Sequence, residues 1–155
     1  MIKILFLCHG NICRSPMAEF ILKDIVHKKA LDNFYEISSS ALSYDEIGND
    51  MYYLAKATLD KNNIPYTKRQ AKLFNKKEYE YYDLIIIMDD ENQYLINHII
   101  KDNDHKVHKL LEYCNLKRDV LDPWYTRRFD DAYEDIKMGC ESLFNYLINN
   151  TYKKN

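Results

Sequence analysis

The sequence predicts an α/β fold: a single domain over residues 1–155 in which a four-stranded parallel sheet carries helices on both faces. Three observations predict it. Strand-like and helix-like segments alternate along the chain, the pattern of βαβ units. Two of the strand-like segments, IKILFL and YDLIIIMD, are near-continuous apolar runs, as expected of strands buried on both faces. A length of 155 residues suits one core, and no linker, internal repeat or low-complexity stretch divides it.

The elements follow in order. Ile2–Leu7 is the first strand. SPMAEFILKDIVHKK opens with Ser15 as N-cap and Pro16 at the first helical position. Met17, Phe20, Ile21, Ile25 and Val26 recur near helical spacing, so the helix runs to about Lys29. Phe34–Ser39 is a short second strand. DEIGND is a loop that closes with Asn49 or Asp50 as the cap of a helix from about Met51 to Asn62. Tyr82–Asp89 is the clearest interior strand after the first, ENQYLINHII is helical, and KVHKLL is the fourth strand. RDVLDPWYTRRFD reads as a loop and DAYEDIKMGCESLFNYLIN as the last helix, with a Lys-Asn tail after Leu147 expected to fray.

Composition narrows the function. A hydrophobic share of 46%, 30% charged residues and a formal net charge of −2 are ordinary for a soluble protein and argue against nucleic acid as a partner. The N-terminal apolar run is too short to span a bilayer. With Lys3 alone for positive charge and no small-residue cleavage site, it is no signal peptide either. A cytoplasmic location is therefore expected, with no membrane partner, and Cys8, Cys13, Cys114 and Cys140 are expected to rest as thiols. No C-x-x-C pair suggests zinc, and His105 and His108 have no cysteine motif around them. No metal or cofactor is expected.

The segment CHGNICRSP, Cys8 to Pro16, begins at the carboxyl end of the first strand, where parallel sheets hold their ligands. A loop between strand and helix can turn successive N–H groups inward as an anion nest, and the helix N-terminus adds partial positive charge. Gly10 offers positive φ, and Arg14 offers a planar fork matched to two phosphate oxygens. Cys8 in that field is expected to act as a thiolate nucleophile aimed at phosphorus. The nucleotide-binding pattern G-x-x-x-x-G-K-[ST] is missing. Downstream, LDPWY places Asp122 before a stiffening Pro123 and two aromatics, a candidate acid for the leaving oxygen.

CHGNICRSP near the N-terminus and DPWY far downstream together resemble the low-molecular-weight protein tyrosine phosphatases. DEIGND, NNIP, YYDLIIIMDDEN and the last helix extend the likeness over nearly the whole chain. The resemblance implies Cys8 as a nucleophile forming a phosphocysteine, Arg14 as a phosphate ligand and Asp122 as acid and then base. It implies a phosphate loop of His9, Gly10, Asn11, Ile12, Cys13, Arg14 and Ser15, with Ser15 donating to Cys8 and with Asn11 and Ser39 bracing the loop. Trp124 and Tyr125 would line the mouth. Asp45 stands where many relatives have an aromatic, with Tyr44 one residue earlier, and Lys68 or Arg69 stands where some have a bracing histidine. Cys13 matches a family cysteine whose thiol can pair with the nucleophile under oxidation. The implied partners are phosphotyrosine proteins and inhibitory oxyanions such as phosphate or vanadate, for a monomer or weak homodimer.

Rival readings are a phosphoarginine phosphatase, an arsenate reductase and a phosphate-binding module without turnover. The first resembles members with threonine where this chain has Ile12. The second relays oxidation through two cysteines in a middle segment, which has none here. The third needs neither Cys8 nor Asp122 as reacting groups. Tyrosine phosphatase activity is the expectation.

Overall fold

The computed structural model of the protein describes residues 1–153, with side chains as far as Asn150. Four strands, β1 (Ile2–Cys8), β2 (Tyr35–Ala41), β3 (Leu84–Ile87) and β4 (Val107–Lys109), form one parallel sheet in the order β2-β1-β3-β4. The expected fold class and sheet are those observed. Phe6 sits between Ser39 of β2 and Ile86 of β3, so β1 is central and buried on both sides. The chain moves from β1 to one neighbour and later returns to the other. The carboxyl end of β1 is therefore a topological switch point, the place where such sheets leave a crevice.

Strand alternation divides the core. Ile4, Phe6, Ile86 and Met88 face one apolar layer shared with α1 (Arg14–Lys28), α2 (Tyr53–Lys61) and α6 (Phe129–Lys153). Leu5, Leu7, Ile85 and Ile87 face a second layer closed by α3 (Lys76–Tyr81) and α4 (Asp90–Asn97) through Tyr79 and Ile96. Cys8 belongs to the first layer and is the last residue of its strand. No helix among the described residues is long and apolar enough to cross a membrane.

Several boundaries differ from the sequence reading, each for a local reason. Helix α1 starts at Arg14, one residue before Ser15, with Cys13 as N-cap and no side-chain cap. Ser15 is inside the helix because the Cys8 sulfur accepts its N–H, at 3.4 Å, in the place of a cap. Neither Asn49 nor Asp50 caps α2; Tyr52 does. The Asp50 carboxylate accepts instead from the N–H groups of Met51 and Arg69 and from Lys56. Helix α3 was not expected, although Asn75 accepts from Glu78 N–H in an N-cap that the Asn-x-x-Glu spacing signals. After β4 the chain tightens into a 3-10 turn, Leu110–Cys114, instead of continuing as a strand. The expected loop contains a short helix, α5 (Pro123–Thr126). Helix α6 continues past Leu147 to Lys153, and the rest of the tail lies outside the described residues.

Gly139 shows how closely α6 seats on the turn after β4. A Cβ there would stand 2.4 Å from Leu110 Cγ, a side chain that is itself fully buried. Gly139→Ala gains about 1 kcal/mol in helix propensity but overpacks a closed site at about 1–3 kcal/mol. The urea midpoint is expected to fall; a midpoint raised by the substitution would refute this account of the contact.

Candidate active site

The loop from Cys8 to Arg14 turns sharply at Asn11, whose φ is 60°. Gly10 was expected to supply that conformation and does not, since Gly48 is the glycine with positive φ. Asparagine tolerates the left-handed region because its short amide can bond locally. Gly10 lines the cavity instead, with Glu46 Cγ 3.4 Å from where its Cβ would stand.

Asn11 is fully buried, and its surroundings fix the direction of every hydrogen bond around it. Arg69 Nη2 donates to its Oδ1 at 2.5 Å and to its carbonyl at 2.6 Å, and Lys72 N–H reaches the same Oδ1 at 3.4 Å. These groups only donate, so the amide oxygen must face them. Its Nδ2 then donates to Ser15 Oγ at 2.8 Å and to Ser39 Oγ at 3.0 Å. The Ser39 hydroxyl donates in turn to Glu19 at 2.6 Å, and Glu19 is paired with Lys23. The Ser15 hydroxyl proton is left to point at Cys8 Sγ, 3.1 Å away. The N–H groups of Asn11 and Ser15 reach the same sulfur at 3.3 and 3.4 Å. Three donors converge on one sulfur. Of the two residues aligned with the bracing histidine, Arg69 makes these contacts and Lys68 is exposed.

Arg14 is 1% exposed. Its Nη1 donates to Asp89 at 2.6 Å and to the Val120 carbonyl at 2.7 Å, and its Nη2 lies 3.5 Å from Asp122. Burial pulls the guanidinium down, but Cys8, Asp89 and Asp122 outweigh it and hold Arg14 above its ordinary value. The sequence reading missed Asp89. Its signal was a carboxylate at the carboxyl end of the strand beside β1, where it also caps α4 by accepting from Asn92 N–H. Burial first, then Cys8, pushes the Cys13 thiol far up, so Cys13 stays neutral.

A cavity of about 110 Å³ opens over the sulfur, lined by Cys8, His9, Gly10, Ile12, Cys13 and Arg14 of the loop. One wall is Asp45 and Glu46, the other Asp122, Trp124 and Tyr125. Tyr44 does not line it and is 79% exposed, so Asp45 is the wall residue. The Asp122 wall is fastened by Arg127, which has φ 61°, donates to the Tyr52 hydroxyl at 2.9 Å and lies over the rings of Tyr52, Trp124 and Phe129. Trp124 meets Tyr52 edge to face at 4.9 Å. Neither Tyr52 nor Arg127 carried a signal in the sequence, because their pairing spans 75 residues. Among the described residues no group of three or more His, Cys, Asp or Glu side chains is arranged to hold a metal ion.

Comparison with known proteins gives the same picture from outside. The family model described as low molecular weight phosphotyrosine protein phosphatase matches residues 3–154. The low molecular weight protein-tyrosine-phosphatase YfkJ of Bacillus subtilis is 35% identical over 147 residues, 92% of this chain and 94% of that protein. Its crystal structure superposes with a TM-score of 0.93, covering 97% of this chain and 96% of YfkJ. SP-PTP of Streptococcus pyogenes superposes with a TM-score of 0.87 at 32% identity, covering 100% and 99% of the two chains. DARP, a Drosophila arginine phosphatase, superposes at 0.85 with 25% identity, over 94% and 98%. With the family model spanning nearly every residue, the chain belongs to the low molecular weight phosphotyrosine protein phosphatase family.

Proposed function

We propose that the protein hydrolyses phosphotyrosine monoesters in proteins through a phosphocysteine on Cys8. The observation that carries this reading is the Cys8 sulfur at the floor of a small cavity, under three donors, with the Arg14 guanidinium and the Asp122 carboxyl on the same cavity. The thiolate attacks phosphorus while the bond to the tyrosyl oxygen breaks. Asp122 gives that oxygen its proton. Water then attacks phosphorus, Asp122 takes the proton back, the P–S bond breaks, and phosphate and thiolate are released. Backbone N–H groups of residues 9–14, the N-terminus of α1 and Arg14 hold the equatorial oxygens. Free phosphate or vanadate inhibits by occupying the same cradle.

The cavity also supports tyrosine over the alternatives. Trp124 and Tyr125 offer aromatic surface at the mouth, suited to a flat ester. Ile12 adds an apolar side chain to the wall, poorly matched to the polar guanidinium of phosphoarginine, the substrate class suggested by DARP.

Cys8→Ser is expected to abolish phosphate release from a phosphotyrosine peptide. Asp122→Asn should lower kcat by about 10²–10⁴-fold, the usual worth of a positioned acid. Turnover that survives Cys8→Ser sinks the assignment. Phosphotyrosine should be preferred over matched phosphoserine and phosphoarginine peptides; equal rates would remove the selective part of Trp124 and Ile12. The thiolate displacement uses protein groups throughout, so EDTA should leave the rate unchanged. A loss restored by added divalent metal would refute that.

A further inference from the structure

His9 follows the nucleophile directly, and its imidazole has a carboxylate at each ring nitrogen. Nε2 lies 2.7 Å from Asp45, in the loop after β2, and Nδ1 lies 2.8 Å from Glu91, on α4. A neutral imidazole has one N–H and can serve only one of these acceptors; serving both requires the imidazolium. The two carboxylates come from opposite sides of the β1 carboxyl end, so the ring spans the mouth of the cradle. The His9 backbone is held separately, its carbonyl accepting from Ser43 N–H and Ser43 Oγ, each at 3.0 Å.

We propose that His9 is a positioning residue for the phosphate cradle: as an imidazolium it straps Asp45 and Glu91 together and keeps their charge from opposing the incoming phosphate. This rests on the phosphatase reading and adds a determinant of substrate affinity to it. Without the imidazolium proton, Asp45 and Glu46 on the cavity wall and Glu91 on the ring's other nitrogen leave their charge uncompensated against a phosphate dianion. The charged groups around His9 are Asp45 and Glu46 from the loop after β2, Asp90 and Glu91 from α4, and Cys8, Arg14 and Asp122 from the cradle. Asp90 is already paired with Lys109, and Arg14 with Asp89 and Asp122. Burial pulls the imidazole down, the hydrogen bonds to Asp45 and Glu91 push it up, and the balance lies above its ordinary value. The strap is therefore present below that raised value and is lost as pH rises through it.

The test follows KM and kcat on a phosphotyrosine peptide from about pH 5 to pH 9 in wild type, His9→Gln, His9→Lys and Glu91→Gln. The groups are largely exposed, so the expected rise in KM for His9→Gln is up to about fivefold below the wild-type alkaline limb, with kcat much less affected. His9→Gln should also lack that limb. Glu91→Gln should move the limb to lower pH, and His9→Lys, charged but able to reach one carboxylate, should recover part of the loss. Ratios to wild type at each pH cancel the ionisation of the substrate itself. A His9→Gln profile that superimposes on wild type overturns the proposal. A second readout needs no activity: imidazole nitrogen NMR of the resting protein should show both His9 nitrogens protonated below the alkaline limb, and Glu91→Gln should lower the titration midpoint. A titration midpoint that Glu91→Gln leaves unchanged overturns the strap. Turnover persisting in Cys8→Ser strikes the phosphatase reading and leaves the NMR result to decide the strap.

Discussion

A fully buried guanidinium organises the catalytic end of this molecule. Arg14 stands at the start of α1, closed off from water, and a buried cation without partners would cost several kcal/mol. Its partners come from two distant stretches: Asp89 from the end of β3, and Val120 with Asp122 from the segment ahead of α5. Satisfying one side chain therefore pulls three parts of the chain to the carboxyl edge of the sheet. The Asp122 segment, which has no strand to hold it, is anchored there a second time by Val120 N–H on the Met88 carbonyl and a third time by Arg127 on Tyr52.

Asn11 does the corresponding work beneath the loop. Its amide can face only one way, because Arg69 and the Lys72 N–H occupy the oxygen. That orientation decides the direction of the Ser15 and Ser39 hydroxyls in turn. The bonds thus all run outward from the amide, toward the Cys8 sulfur on one side and the Glu19 carboxylate on the other. A half-satisfied network of this kind would cost more than an apolar plug of the same size. Its completeness marks the sulfur, not the amide, as the feature being served.

The sheet, its parallel sense and the position of CHGNICRSP were legible because they rest on local signals: apolar runs, helical spacing and a motif at a strand end. The start of α1 was misread for an instructive reason. Ser15-Pro16 is the ordinary sequence of an N-cap, and nothing local shows that a sulfur seven residues earlier takes the cap's place. Gly10 was misread in the same way, since glycine is the usual owner of a positive φ and an asparagine in a network can take it over. Glu19 and Arg127 were illegible as site residues, because each acts across 20 or more positions of sequence.

The electrostatics of the cavity bring these pieces together. A chain of net charge −2 lines its phosphate mouth with Asp45, Glu46 and Asp122, and the strongest cation there, Arg14, is already held by two carboxylates. What positive field remains comes from the Asn11 and Ser15 N–H groups on the sulfur, from the N-terminus of α1 and from His9. The first two are fixed by the backbone and do not change with conditions. His9 alone among the three titrates near neutrality, and it sits on the two carboxylates that most need an opposing charge. The ring lines the same cavity as Cys8, so on the proposed strap the protonation state of one imidazole tunes how strongly the fixed dipoles there act on an incoming anion.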